Sequence, residues 1–384
     1  MLRVFVTGIG LVSSLGMSLQ ESWQNLLLGK SGIKLHQLFP ELPPVPLGLI
    51  HHQPISLNIL TPQVVDQALK DAKLSPPLPD CAVVIGSSRS YQASWEKLAQ
   101  HIDGTPPWSN LEHWLDSLPV MNAITVARQI SCVGTVLAPM AACSTGIWAI
   151  AQAVMLIQNG QCHQAIAGAV ESPITPLTIC GFQQMGALAK TGAYPFDVNR
   201  EGLVLGEGGA VFVLESQESI EQRQLTPENI YGEILGFGLT ADAFHGSRPE
   251  PQAKSGMLAI KQCLERSNLT GVDIEYIHAH GTATKINDQI EGKIIQELFP
   301  PQVAISSTKG ATGHTLGASG SLGVAFSLMA IKNQILPPNV GLRHKEMNLN
   351  LVTAARKSRV EHVLCCSFGF GGQNTVISLG ERTC

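Results

Sequence analysis

The feature that most constrains this chain is an alternation that occurs twice. Short apolar runs, closed by glycine or a polar turn, alternate with helical stretches up to about residue 215, and the pattern restarts after residue 230. Runs of four to eight apolar residues fit strands buried on both faces, and apolar residues recurring every three or four positions fit helices. In the first section the strand candidates are residues 4–6, 82–86, 164–169 and 209–215. Helices are expected from about Ser18 to Leu28 and again after Cys143, with apolar positions Ile147, Ile150, Ala151, Val154 and Ile157 and a stop at Gly160. In the second section residues 234–237, 274–278, 303–306, 363–367 and 374–379 read as strands. Residues 256–265 and 317–333 read as helices. The last helix carries Gly317, Gly320 and Gly323, a spacing that permits close approach to a neighbour. Alternation of this kind specifies an α/β fold. Residue identity between the two sections is weak.

Other stretches are less regular. Residues 33–60 are rich in Pro and Leu and read as loop or surface cover. Residues 90–125 hold Trp95, Trp108 and Trp114 among polar residues and read as an inserted helical layer or a dimer cover. The start of the chain reads as a short strand at residues 4–6 leading into a turn at Gly8-Ile9-Gly10, not as a targeting peptide. That turn lacks the third glycine of a dinucleotide fingerprint, because position 13 is Ser.

Composition removes several classes. Hydrophobic residues make up 44% and charged residues 14%, which fits a heavily buried enzyme and not a disordered chain. The net charge of -4 gives no broad positive surface for nucleic acid. No apolar run reaches the roughly 20 residues of a membrane span. Nine cysteines show no zinc-ligand spacing, so a reduced, cytoplasmic setting is expected.

Three motifs carry the chemistry. In Ala141-Ala142-Cys143-Ser144-Thr145-Gly146 a thiol stands at the start of a helix, where amide donors and the helix dipole favour thiolate. A buried inert cysteine is the alternative for that motif alone. His278-Ala279-His280-Gly281-Thr282-Ala283-Thr284 follows an apolar strand. Alternate residues face opposite ways, so His280 is the active-site candidate and His278 a structural one. Ser306 to Gly317 places Lys309 and His314 in a glycine-rich turn before a helix. The order of a phosphate loop is absent, and no third and fourth metal ligand accompany His280 and His314.

Taken with Pro195-Phe196-Asp197-x-x-Arg200-Glu201-Gly202, Gly206-Glu207-Gly208-Gly209 and Ser367-Phe368-Gly369-Phe370-Gly371-Gly372-x-Asn374, these motifs make the chain resemble the β-ketoacyl-acyl-carrier-protein synthases of the thiolase-like superfamily. The resemblance covers nearly the whole chain. It implies two similar halves in a five-layer α/β/α/β/α core. The halves are 1–215, carrying the nucleophile and a helical or loop insertion at about 87–130, and 230–384, carrying two catalytic histidines. It also implies a homodimer or a heterodimer with a related subunit.

The implied reaction is decarboxylative condensation of an acyl group on Cys143 with malonyl-acyl-carrier protein. The backbone amides of Cys143 and Phe370 are the implied oxyanion hole, and His280 and His314 the implied donors to the enolate. Lys309 pairs with Glu291 to support the histidines. Phe370 gates the acyl pocket, and Thr282 and Thr284 contact the phosphopantetheine arm. That arm arrives on the carrier, so no cofactor is bound permanently. Departures from the family pattern include Ser87-Ser88-Arg89-Ser90-Tyr91, where a glycine-rich turn is frequent, and they leave the acyl preference and pathway open. Fatty-acid, polyene, polyketide and glycolipid synthesis all fit. The alternative is a non-catalytic partner that sets chain length, which Cys143, His280 and His314 argue against. A degradative thiolase would need a second catalytic cysteine, and Cys365-Cys366 sits in the wrong setting for one.

Overall fold

A computed structural model describes residues 2–101 and 114–382. Ten strands form the main sheet: β1 (Val4–Ser13), β2 (Ala82–Gly86), β3 (Val136–Leu137), β4 (Gln164–Glu171), β5 (Gly208–Ser216), β6 (Gly232–Ala241), β7 (Tyr276–His278), β8 (Ala304–Ser306), β9 (His362–Gly369) and β10 (Gln373–Gly380). Their order is β8-β7-β9-β10-β6-β1-β5-β4-β2-β3. Read from its own first strand, each half therefore has the order three-two-four-five-one. The directions repeat as well: β2 is parallel to β3 and β4, and β7 is parallel to β8 and β9. The remaining pairs within each half are antiparallel. The halves meet where Val4, Phe5 and Val6 pair with Ile234, Glu233 and Gly232. The duplication weakly visible in residue identity is thus complete in topology.

Helices fill the layers in matching pairs. α1 (Leu57–Asp71) and α2 (Met121–Ile130) cover the outer face of the first half, and α4 (Lys254–Arg266) and α5 (Lys285–Leu298) cover that of the second. α3 (Thr145–Gln158) and α6 (Ser319–Asn333) lie between the halves and pack against each other. Their sequences explain this place. Both are apolar on nearly every side, and residues 319–331 of α6 are buried throughout. Such helices are stable only with protein all round them. The five layers implied by the resemblance are present. The central helices approach closely because a Cβ on Gly146 would sit 2.4 Å from Ser321 Oγ.

Two readings of the sequence are corrected. Gly8 and Gly10 are not a turn: β1 runs on through them to Ser13. Glycine is needed because α1 crosses them, and a Cβ on Gly10 would lie 1.8 Å from Val64 O. Residues 33–60 are not wholly irregular: Ile33–His36 and Val45–Gly48 pair, and the latter joins Leu205–Gly206. These strands are short and lie in a separate small sheet, so no long apolar run announces them. In the tryptophan-bearing stretch, residues 92–101 are helical and α2 packs on β2, while Trp108 lies outside the described residues. Among the described residues no helix is long and apolar enough to cross a membrane.

Candidate active site

The chain turns sharply between β3 and α3, and Cys143 stands on that turn. Ala142, just before it, has φ 48, a conformation that costs a non-glycine residue free energy. Local bonds hold it. Thr145 Oγ1 accepts from Ala141 N at 2.9 Å and donates to Ala142 O at 2.7 Å. The β9–β10 hairpin holds it from the second half. Ser367 Oγ donates to Cys143 O at 2.9 Å, and Ser144 Oγ lies 2.9 Å from Ser367 O and 2.6 Å from Gln373 O. The Phe370 amide is near enough to favour the Cys143 thiolate.

His280 follows β7 by two residues, and its backbone is clamped from two sides. Glu291, on α5 and 1% exposed, accepts from His280 N at 2.6 Å and from Gly281 N at 2.7 Å. Lys309 Nζ donates to His280 O. His314 follows β8 and is bound into the small sheet, donating from its backbone N to Val204 O at 2.6 Å and accepting from Gly206 N at 3.0 Å. The two rings meet edge to face at 5.4 Å between centroids. The sulfur of Cys143 and one nitrogen from each ring lie within 4.8 Å of one another. Residues far apart in sequence are thus joined at one point.

All three groups are buried, and burial sets their charge. It pushes the Cys143 thiol up to about 11, against the pull of Lys309, the Phe370 amide and Arg89. It pushes His280 and His314 well below the usual histidine value, and Lys309 adds to that shift. Both imidazoles are therefore neutral at neutral pH. Among the described residues the buried Nδ1 atom of each has no hydrogen-bond partner. The thiolate favoured at the start of α3 in the sequence reading is opposed in the resting structure by burial. Lys309 is itself lowered by burial, with Glu291 as the main opposing influence.

A cavity of about 580 Å³ opens on these groups. Cys143, His280, His314, Phe370, Thr282 and Thr284 all line it. Thr282 and Thr284 bond to each other through their hydroxyls at 2.9 Å. One side of Cys143 is apolar, with Ile174, Ile179, Phe182, Leu203, Leu205 and Leu316 in one cluster. Phe370 stacks on Phe182 at 5.9 Å. The other side carries the histidines and the threonines. A thiol and two imidazoles at this spacing suit either covalent chemistry or a soft metal ion.

His278 takes no part. It is buried away from the cavity, its Nε2 3.2 Å from Thr308 Oγ1 and its Nδ1 3.8 Å from Cys365 Sγ, which fits the structural role expected of it. One implied contact is corrected: Lys309 and Glu291 form no direct ion pair. The lysine spends its ammonium on the His280 carbonyl, and the glutamate spends its oxygens on the His280 and Gly281 amides. They act on the same peptide from opposite ends. Residues not singled out from the sequence also line the cavity, among them Asp242, Arg248 and Asn287. Asp242 accepts from Asn374 Nδ2 at 2.6 Å and from Glu250 N at 3.0 Å, tying its loop to the Phe370 loop.

Comparison with known proteins agrees with this site. Residues 58–219 match the family described as beta-ketoacyl synthase, N-terminal domain, and residues 231–343 match its C-terminal domain. A 3-oxoacyl-[acyl-carrier-protein] synthase 2 of Coxiella burnetii is 32% identical across 99% of this chain and 98% of its own length. One of Staphylococcus aureus is 31% identical across 98% and 97%. A solved type II polyketide ketosynthase, in complex with its acyl-carrier protein and bound to a hexaketide, matches with a TM-score of 0.92 at 25% identity, covering 99% of this chain and 100% of that one. A beta-ketoacyl synthase of Burkholderia phymatum matches with a TM-score of 0.90 at 25% identity, covering 100% of both chains.

Proposed function

Because this chain belongs to the beta-ketoacyl synthase family and is an acyl-carrier-protein-dependent condensing enzyme, we propose that Cys143 accepts an acyl group from one carrier and that His280 and His314 drive its condensation with malonyl on a second. The observation that carries the proposal is the convergence of one sulfur and two imidazole nitrogens within 4.8 Å on the wall of one cavity.

The first step is acyl transfer. Cys143 sulfur attacks the thioester carbonyl, and the sulfur–carbon bond to the carrier breaks. The Cys143 proton goes to the departing carrier thiol. The amides of Cys143 and Phe370 receive the oxyanion that forms on the way. The buried thiol holds its proton at rest, so thiolate is made only as the thioester arrives. The apolar cluster beside Cys143 gives the acyl chain its place.

The second step is condensation. Malonyl-carrier loses carbon dioxide, and the electron pair of the broken bond passes into the thioester as an enolate. Neutral His280 and His314 donate hydrogen bonds to the enolate oxygen. Its carbon then attacks the acyl carbon on Cys143, the carbon–sulfur bond breaks, and the sulfur leaves as thiolate and regains a proton. The product is 3-oxoacyl-carrier. Neutral donors serve this step because their protons stay in place as charge grows on the oxygen. Lys309 and Glu291 are positioning residues that fix the His280 peptide. Thr282 and Thr284 are the groups offered to the phosphopantetheine arm, which the carrier brings with it. Phe370, on the Gly369 to Gly372 loop, is the movable wall between the arm and the acyl side.

The family membership favours covalent chemistry over a metal ion for the Cys143, His280 and His314 cluster. It includes proteins whose solved complexes hold a ketosynthase with a carrier or with a chain length factor. We extend both kinds of partner to this chain: a carrier at the cavity mouth, and a second copy or a related subunit beside it. A purely structural chain-length role is disfavoured, since shaping a partner's tunnel requires no thiol between two histidines.

The test is intact mass spectrometry. Acyl-carriers of several chain types are mixed with wild type and Cys143→Ala, and malonyl-carrier is then added. Wild type is expected to gain the acyl mass on Cys143 and then release a carrier two carbons longer. The variant gains nothing. Acylation that survives in Cys143→Ala, or no acylation with any carrier, overturns the proposal.

A further inference from the structure

The motif Pro195-Phe196-Asp197-x-x-Arg200 has no share in the chemistry at Cys143. It lies behind the wall of the cavity that carries Thr282 and Thr284. That wall runs from Gly281 to the start of α5, and its backbone is strained. Ala283, between the two threonines, is buried and has φ 66, a conformation that costs a non-glycine residue free energy. Such a turn keeps its shape only where its surroundings hold it. At the His280 end the holder is Glu291. At the other end it is Arg200.

Arg200 is 3% exposed. Its Nε donates to Thr284 O at 3.3 Å and its Nη2 to Lys285 O at 3.1 Å. Its Nη1 donates to Asp197 O at 2.9 Å and pairs with Glu346. The buried carboxylate of Asp288, on the first turn of α5, lies 3.8 Å from Nε and accepts from Phe196 N at 2.8 Å. The Phe196 ring completes the brace, since a Cβ on Gly281 would lie 3.0 Å from its Cε2. One planar fork thus joins the motif to the two carbonyls that end the threonine turn. A cation beside the start of a helix opposes the helix dipole, and a buried ion pair adds little stability over apolar packing. What the arginine places therefore explains it better than what it stabilises.

We infer that Arg200 is a positioning residue for the phosphopantetheine arm: through the carbonyls of Thr284 and Lys285 it sets the turn on which the hydroxyls of Thr282 and Thr284 meet the arm. The inference rests on the proposed use of malonyl borne on that arm. The two hydroxyls bond to each other at 2.9 Å and line the cavity, so a shift of the turn displaces both. Misplacement by about 1 Å is enough to lose a productive contact. The catalytic rings have other holders, Glu291 and Lys309 for His280 and the small sheet for His314. Loss of Arg200 therefore weighs most on substrates whose arm reaches the hydroxyls.

The experiment compares decarboxylation of malonyl-pantetheine, whose arm has amides for the hydroxyls to engage, with that of malonyl ethyl thioester, which has none. Release of carbon dioxide gives kcat/KM for each, and the ratio of the two is the readout. Arg200→Met is expected to lower the ratio about tenfold, the scale of one lost hydrogen bond. A partly unfolded sample lowers both rates alike and does not move the ratio. Arg200→Lys keeps the charge but not the planar fork and is expected to lower the ratio about threefold. Where Arg200→Met does not fold, this smaller fall is the test. Thr282→Val with Thr284→Val removes both hydroxyls, and in that background Arg200→Met is expected to lower the ratio no further. A ratio equal to that of wild type, or one that still falls without the hydroxyls, overturns the inference while leaving the condensing activity intact. No carbon dioxide from either thioester or from malonyl-carrier in wild type instead defeats the reading on which it rests.

Discussion

The turns after β2 and β7 occupy the same place in the two halves, and both are held by a buried carboxylate that accepts loop amides. Glu171 grips Ser87, Ser88 and Arg89. Glu291 grips His280 and Gly281. Each carboxyl accepts two or more loop amides, and a buried hydrogen bond left unmade costs about 1–3 kcal/mol, so both turns are rigid by similar means. What they present differs. The first turn carries Arg89, whose guanidinium lies 5.8 Å from the centre of the Phe182 ring, and the second carries His280, whose neutral imidazole stands beside Cys143. The two turns show that the fold provides matching rigid mounts and that a few residues on each decide the chemistry. The central helices differ in the same way: α3 starts beside a thiol, while the 3-10 turn before α6 holds only Leu316, Gly317 and Ala318.

The largest test of this division uses the second half. His280→Ala and His314→Ala should each slow decarboxylation of malonyl-carrier by roughly 10²–10⁴, the range for lost acid–base or oxyanion donors. Acylation of Cys143 should change only a few-fold. Release of carbon dioxide and the mass of the acyl-enzyme measure the two steps separately. Equal losses in both would mean that the histidines serve acyl transfer as well, and the separation of roles between the halves would fail.

A smaller effect separates the two carboxylates. Glu291→Gln puts an amide NH2 against a backbone N–H of His280 or Gly281, and an unmet buried group costs about 1–3 kcal/mol. Decarboxylation should fall about tenfold with acyl preference unchanged. Glu171→Gln makes the same error under Arg89. Its expected effect is a lower melting temperature, with decarboxylation by the folded protein changed only a few-fold. Stopped-time carbon dioxide release and thermal melting read the two outcomes. If both variants shift the same quantity, the turns are not independent mounts.

The sequence displayed the reacting groups better than their supports. Cys143, His280 and His314 stood in motifs whose order implied their meeting, and they do meet. The five layers followed from the resemblance, since periodicity alone gave only α/β. Gly8 and Gly10 misled because a glycine in a strand under a crossing helix is identical in sequence to one in a turn. The Lys309 contact misled for a different reason. The resemblance implied a pair with Glu291, but a buried carbonyl competes for the ammonium, and no local pattern reveals it. Glu171 gave no signal because its donors come from residues 87–89 and from Gly317, which only the folded chain assembles.

The finest test compares the charge states that burial imposes on the two halves. Burial raises Cys143 to about 11 and depresses His280 and His314. A depressed histidine takes its proton only below its folded pKa, so both donors are neutral across neutral pH. In Glu291→Gln, which removes a carboxyl that burial pushes up to about 7, decarboxylation should therefore be flat between about pH 6 and pH 8, with no step at the ordinary histidine value near 6.5. Alkylation of Cys143 should keep rising over the same range, because thiolate is scarce far below a raised pKa. Lys309 shifts both groups, lowering the thiol and the histidines alike. Lys309→Ala should consequently slow alkylation at a given pH and move any histidine step upward, toward 6.5. A Glu291→Gln decarboxylation profile that still breaks near 6.5 would mean that the histidines are hydrated while they work. In that case the polar side of the cavity is open to water, and the contrast drawn between a dry pair of donors and a dry thiol no longer holds.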